Sequence, residues 1–111
     1  MRKRPSDELF ERHAELCQVL CNAKRLKILY ALETSERTVT DIVRVTQIPQ
    51  PTVSQHLRKM RDKDVVTKRT EGNRSYYSIR DDRLLDATTT IRTVLLDSIE
   101  ENPDPGVKSR Q

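Results

Sequence analysis

The chain is poor in the residues that build large hydrophobic cores. It has no Trp, one Phe and 34% hydrophobic residues among 111, whereas soluble domains typically contain roughly 45 to 50% apolar residues. This composition predicts one small domain that buries a modest fraction of its surface. Because association of two copies would bury more apolar surface, we expect a homodimer.

Long hydrophobic runs are also missing. The longest spans five residues, from Ile28 to Leu32, whereas a membrane-spanning helix needs roughly 20. No apolar segment of a secretory signal follows the basic residues 1–4. Two cysteines cannot form a disulfide framework, and free thiols are the default in a reducing compartment. We therefore expect a cytoplasmic protein with no membrane partner.

Signatures of catalysis are absent as well. The chain has two His, two Gly and no Gly-rich phosphate loop, and no nucleophile stands in a pattern that supplies an adjacent base. The sequence thus predicts a protein that is not an enzyme. Lys and Arg number 21 against 17 Asp and Glu, a net charge of +4. This excess favours a polyanionic partner, and nucleic acid leads because no basic amphipathic helix suggests a membrane surface.

Hydrophobic spacing predicts about five helices and one β-hairpin. Asn22 is a plausible N-cap of the second helix, and Thr38 with Asp41 nearly matches a capping box. After the fourth helix the period changes to two, and β-forming segments at 66–69 and 75–79 flank a Gly-Asn turn. The residues expected to face inward are Leu9, His13, Leu16 and Leu20; Leu26, Leu29, Tyr30 and Leu32; Val39, Ile42, Val43 and Val45; and Val53, Leu57 and Met60. In the last helix, one apolar stripe is formed by Leu84, Thr88, Ile91, Leu95 and Ile99.

The order of these elements predicts a winged helix-turn-helix, a mainly α fold with a small hairpin. We expect a flexible basic arm over residues 1–6, the winged helix-turn-helix domain over 7–101, and a flexible tail over 102–111. The apolar stripe of the last helix is wide for so small a domain. A partner subunit is the natural cover for it.

The fourth helix carries the predicted functional surface. Its apolar residues fall within about 60° of one another at about 100° per residue, which turns polar and basic side chains outward. Such a face can enter a DNA major groove, and a cationic hairpin tip suits the sugar-phosphate backbone. The alternatives are an ordinary solvated helix, a charged edge that prevents aggregation, and a merely packed His56. The predicted DNA-binding residues are Gln50, Thr52, Ser54, Gln55, His56, Arg58, Lys59, Lys68, Arg69 and Arg74.

Three segments together resemble the ArsR/SmtB family of bacterial and archaeal repressors: Ala23–Leu29 (AKRLKIL), Gln50–Leu57 (QPTVSQHL) and Glu71–Tyr77 (EGNRSYY). The resemblance covers residues 9–98. It implies a homodimer that binds a pseudo-palindromic operator, leaves it when an inducer binds, and joins its subunits through the first and last helices. The resemblance also implies a structural role for Arg25 rather than a contact with DNA bases. The predicted interface residues are Leu9, Leu16, Leu84, Ile91 and Leu95.

Many members of this family sense metals, but their two familiar ligand sets are not matched here. Where one pattern has Glu-Leu-Cys-Val-Gly-Asp, this chain has Glu-Arg-Thr-Val-Thr-Asp over residues 36–41, without the cysteine. Where the other has an Asp, two His and a Glu, it has Asp81, Arg83, Val94 and Asp97. Since Arg and Val side chains cannot bind zinc, neither familiar site is expected.

Cys17 and Cys21 remain as candidate sensing residues. Four positions apart on a helix, their thiols project about 40° from each other, on the flank of the apolar stripe. Such a pair could bind arsenite, Cu(I), Zn(II) or Cd(II), usually with a third ligand, or be oxidised. The alternative is a small core residue and a helix-end filler. No cofactor is therefore certain; the candidates are a thiol-bound metal or metalloid and a reversible redox change.

These features predict a repressor that binds double-stranded operator DNA and is released by thiol oxidation or a thiophilic ion. One alternative is a winged-helix regulator with no small-molecule inducer. The other is a winged-helix module that contacts protein, which would need an apolar or acidic outward face on the fourth helix.

Overall fold

The structure, a computed structural model, describes residues 4–101 and confirms the predicted winged helix-turn-helix. Its elements, in chain order, are α1 (Asp7–Leu20), α2 (Ala23–Ala31), α3 (Val39–Thr46), α4 (Gln50–Asp62), β1 (Val66–Glu71), β2 (Arg74–Ile79) and α5 (Asp82–Glu101). The predicted tail and the first three residues of the predicted arm lie outside this range. Within the range, no helix is long and apolar enough to span a membrane.

Side-chain caps fix where the first three helices begin. The Ser6 hydroxyl accepts the backbone N–H of the α1 residue Leu9 at 3.1 Å, and Asn22 Oδ1 accepts that of Arg25 in α2 at 3.1 Å. Thr38 Oγ1 accepts the Asp41 N–H at 3.2 Å, and the Asp41 carboxylate accepts the Thr38 N–H in return. The predicted Asn22 cap and the Thr38 capping box are therefore confirmed.

The core lies where α2, α3 and α4 meet the base of the hairpin. Its buried members are Val19, Ile28, Leu29, Leu32, Ile42, Ile48, Val53, Leu57, Met60, Val65 and Val66. Leu16, Leu20 and Tyr77 pack against this cluster while partly exposed. Every element therefore contributes at least one partly or fully buried side chain near this centre, and α5 does so through Leu84 in its first turn.

Several predicted inward positions are exposed instead. The predictions for Leu26 and Tyr30 in α2 are wrong. The core face of this helix is centred between Ile28 and Leu29, and Leu26 and Tyr30 point more than about 100° away from that centre around the helix axis. The same correction applies to His13 in α1 and to Val45 in the last turn of α3. Leu9, Ile91, Leu95 and Ile99 are also exposed in the single chain, on the surfaces where a partner subunit is the expected cover.

The hairpin is an antiparallel pair with Val66 opposite Ile79 and Glu71 opposite Arg74. Gly72 supports the tight turn with φ of +62°, a conformation that costs glycine little. Arg37, in the loop before α3, pairs with Tyr77 on the other edge of β2: its N–H donates to the Tyr77 carbonyl at 3.0 Å and its carbonyl accepts the Tyr77 N–H at 2.8 Å. These bonds fasten the hairpin to the helical part.

Candidate nucleic-acid interface

The turn between α3 and α4 sets the direction of the second helix. Gln47 adopts a left-handed backbone, φ 60°, and its N–H donates to the Val43 carbonyl at 2.8 Å, which ends α3. Ile48 is buried in the core and anchors the turn. Pro49 precedes α4, and Pro51 fits its first turn because the N–H that proline lacks has no partner there.

The rotation of α4 is the one predicted. Val53, Leu57 and Met60 are at most 1% exposed and face the core. Gln55, Arg58 and Lys59 are consequently exposed on the other side, and Thr52 and Ser54 lie half-buried at its margin. The outward face thus presents an amide, hydroxyls and cations, the groups that bind base edges and phosphates in duplex DNA.

A groove separates α4 from the hairpin. It has a volume of about 260 Å³ and is lined by Ser54, Gln55, Arg58, Arg61, Lys68 and Tyr77. Three of these six side chains are cations and none is a carboxylate. Such a lining attracts an anion. The groove is also open to solvent, which a binding site for a DNA backbone phosphate requires.

Two of the groove residues were absent from the predicted set. Arg61 stands two turns after Ser54 on α4, at the edge of the polar face by helical spacing, so periodicity alone could have included it. Tyr77 could not be assigned to the groove by sequence, because only the packing of the hairpin against α4 brings its ring there. Tyr77 also packs on the core, whereas Tyr76 lies on the opposite side of the strand.

Arg69, a predicted DNA contact, is engaged within the protein by two carboxylates and an aromatic ring. Its guanidinium donates to Glu36 at 2.5 Å and to Glu71 at 2.7 Å, and lies 4.7 Å from the centre of the Tyr76 ring. These carboxylates raise the pKa of Arg69, and the hydrogen bond from Arg69 lowers that of Glu36. Because two carboxylates already pair with this guanidinium, a contact between Arg69 and DNA would have to compete with these ion pairs.

The remaining predicted contacts divide between exposed and engaged side chains. Lys68 and Arg74 are exposed and form no ion pair within residues 4–101. At the start of α4, the Gln50 amide donates to the Ser54 hydroxyl at 2.9 Å. His56 is half-buried, with its Nδ1 3.4 Å from Nη1 of Arg25. Burial lowers the pKa of His56, and the positive charges of Arg25, Lys24 and Lys59 lower it further.

The two cysteines lie at the C-terminal end of α1. Both are free and exposed, so Cys17 is not a core residue of the subunit. Cys21 is the C-cap of α1, at the helix end. The Cys21 N–H donates to the Cys17 carbonyl at 2.7 Å, so the helical turn between them is intact. Both thiols border a largely apolar groove of about 460 Å³ between α1, α2 and α5, with His13 at the same margin.

No cluster of three or more His, Cys, Asp or Glu side chains suited to a metal occurs in the described part of the chain. Two carboxylates in the segments that correspond to the familiar metal sites have other partners. Asp41 belongs to the α3 capping box. Asp81 pairs with Arg83 at 2.7 Å, and hydrogen bonds from Arg83 lower the pKa of Asp81 to about 2.

The predicted interface residues border this apolar groove or lie near the start of α1. Leu16 and Leu84 are half-buried, while Leu9, Ile91 and Leu95 are exposed. Val94, Leu96 and Ile99 extend the apolar surface along α5. At the groove margin, Arg92 pairs with Glu33 at 2.8 Å and lies over the Tyr30 ring.

The chain is similar in sequence to known transcriptional regulators. A family model described as bacterial regulatory protein, arsR family, matches residues 22–68. The chain is 31% identical over 78 residues to the arsenical resistance operon repressor of Bacillus subtilis, covering 69% of this chain and 74% of that one. It is 40% identical over 75 residues to the transcriptional repressor PagR of Bacillus anthracis, covering 67% and 75%.

Among solved structures, the chain is similar to the homodimeric winged helix-turn-helix DNA-binding domain of Mb0332 from Mycobacterium bovis, a possible ArsR-family transcriptional regulator. The TM-score is 0.77 at 27% identity, over 93% of this chain and 98% of that one.

Proposed function

The chain belongs to the ArsR/SmtB family of DNA-binding transcriptional repressors, and from this premise we propose that it binds its operator as a homodimer through α4 and leaves it when Cys17 and Cys21 react. The proposal has three parts, which are the DNA-contacting surface, the pairing of subunits and the chemistry of release.

The observation that carries the proposal is the outward face of α4 beside the cationic groove. Gln55 and Arg58 stand exposed opposite a fully buried apolar side, so both can reach base edges while the core holds the helix. Arg61 and Lys68 add positive charge on the two sides of the groove. A protein-binding module would need an apolar or acidic face here, and this surface is neither.

The apolar surface of α1 and α5 supports a symmetric pair. Large hydrophobic side chains are exposed along α5 from Ile91 to Ile99 and near the start of α1, and an extended exposed apolar patch marks an interaction surface. The similar Mb0332 domain is homodimeric. Two α4 helices related by a two-fold axis would bind two operator half-sites about one turn of the DNA helix apart.

The exposed thiols support release by cysteine chemistry. Solvent-accessible thiolates react with peroxide to give sulfenic acid or bind soft ions such as Cu(I) and arsenite. Both sulfurs stand beside the α1–α5 surface proposed to pair the subunits. A reaction there would change the separation of the two α4 helices, and a mismatch to the half-sites would weaken operator binding.

Operator binding is tested by gel shift against restriction fragments of the source genome with excess unrelated competitor DNA. We expect a small set of fragments to be retained, with affinity that falls steeply as salt rises. Binding of all fragments with equal affinity would contradict a sequence-specific repressor. Retention of no duplex at low salt would contradict DNA binding altogether.

Release is tested on a retained fragment with peroxide, arsenite, zinc and copper, each read beside thiol titration. Cys17→Ser and Cys21→Ser are expected to keep wild-type affinity and lose release. If the double Ser variant is released by the same compounds at the same doses, the cysteines are not the sensing groups.

A further inference from the structure

Arg25 is a buried cation that the DNA-contacting surface does not include. It is 8% exposed, and burying a guanidinium costs several kcal/mol unless its donors are satisfied. Its Nε donates to the Val19 carbonyl at 2.6 Å, and its Nη2 to the Gln18 carbonyl at 3.4 Å. Both carbonyls belong to the last turn of α1, where a helix leaves acceptors without internal partners and carries partial negative charge.

The remaining arm of Arg25 reaches the helix proposed to bind DNA. Nη1 lies 3.4 Å from Nδ1 of His56 in α4. Because arginine has donors only, Nδ1 is the acceptor and the neutral ring carries its proton on Nε2. His56 stands between the exposed Gln55 and the buried Leu57, at the boundary of the two faces of α4.

This contact differs in kind from the other contacts that hold α4. Within residues 4–101 it is the one side-chain hydrogen bond that joins α4 to another element. Val53, Leu57 and Met60 hold the helix by burial, which is non-directional. A guanidinium with fixed donor directions constrains rotation about the helix axis more tightly.

We infer that Arg25 is a positioning residue for DNA binding, which fixes the rotation of α4 by holding His56 against the end of α1. The inference rests on the proposed function because it takes α4 as the DNA-binding helix. Gln18 and Val19 also lie between Cys17 and Cys21, so the same guanidinium connects the cysteine-bearing turn to α4.

The test compares four single variants, and the double variant that combines Arg25→Lys with His56→Leu, on a retained operator fragment and on an unrelated duplex of equal length. Arg25→Lys keeps the charge and loses the forked donors, and His56→Leu removes the acceptor. His56→Asn restores an acceptor near the position of Nδ1, and Lys27→Met removes an exposed cation from α2 as a control. Circular dichroism establishes that each variant is folded at the assay temperature.

A positioning role predicts a specific pattern. Arg25→Lys and His56→Leu each lower operator affinity at least tenfold while affinity for the unrelated duplex and the salt slope stay at wild-type values. The double variant loses no more than either single one, because both changes break one contact. His56→Asn retains most of the operator preference, and Lys27→Met retains the ratio of the two affinities.

The inference would be overturned if folded Arg25→Lys and His56→Leu variants keep the wild-type ratio of the two affinities, whether both affinities are unchanged or both fall by the same factor. If Arg25→Lys fails to fold, His56→Leu and His56→Asn still decide. Failure of the proposed function is distinct, because the wild-type protein itself would then show no preference for any fragment.

Discussion

The apolar side of α5 offers a quantitative test of the proposed dimer. Ile91 and Leu95 are 62% and 59% exposed, and fully burying such a side chain contributes about 1.5 to 3 kcal/mol. Covering the exposed part of each therefore contributes about 1 to 2 kcal/mol, and a symmetric dimer would cover four such side chains, for about 4 to 7 kcal/mol in all.

The perturbation is the double substitution Ile91→Ala and Leu95→Ala. At about 1.4 kcal/mol for each tenfold change in Kd, complete cover by the partner predicts a dimer weakened roughly a thousandfold to a hundred-thousandfold. The fold should persist, because exposed side chains contribute little to the stability of one subunit. Sedimentation equilibrium from nanomolar to high micromolar protein measures the Kd, and circular dichroism checks the fold.

The matched control is Thr93→Ala, since Thr93 lies on the polar side of α5, about 160° or more from Ile91 and Leu95 around the helix. We expect it to dimerise as the wild type does. A double variant with an unchanged Kd would refute the assignment of α5 to the interface.

Other predictions concern the hairpin, the caps and pH. Lys68→Ala should lower the slope of log affinity against log salt by about one, whereas Arg69→Ala should leave it unchanged because its charge is already paired; equal slopes would show that pairing does not matter. Thr38→Ala should lower the free energy of unfolding by about 1 kcal/mol in urea, with Thr38→Ser as control, and no loss would mean that the cap is dispensable. Burial and nearby cations lower the pKa of His56, so below pH of about 6.5 the unfolded chain binds a proton that the folded ring resists. Stability should therefore fall below that pH in the wild type and less in His56→Asn, as urea unfolding across pH would measure; identical pH profiles would exclude the histidine.

The rotation of α4 could be predicted because one rotation alone buries Val53, Leu57 and Met60 together. The inward face of α2 could not be predicted with the same success. Leu26, Ile28, Leu29 and Tyr30 are apolar on several sides of that helix, so spacing does not single out one face, and packing against α1 and α3 makes the choice.

The electrostatic details were out of reach for a different reason. Arg69 and Glu36 are 33 positions apart, and Arg25 and His56 are 31 positions apart. No periodicity connects residues so distant, because tertiary packing alone brings them together. Predictions from sequence therefore assigned Arg69 to DNA contact without its ion pair to Glu36. They also left His56 undecided between packing in the protein and contact with DNA.

The most direct test of the account is the affinity of a Gln55→Ala, Arg58→Ala double variant for a retained operator fragment, measured by fluorescence anisotropy beside the wild type. Each good contact to a base contributes about 1 to 3 kcal/mol of discrimination. We predict a loss of about 2 to 6 kcal/mol, roughly thirtyfold to ten-thousandfold in Kd, with the fold unchanged. A double variant that binds the operator with wild-type affinity and selectivity would contradict the claim that α4 reads the DNA.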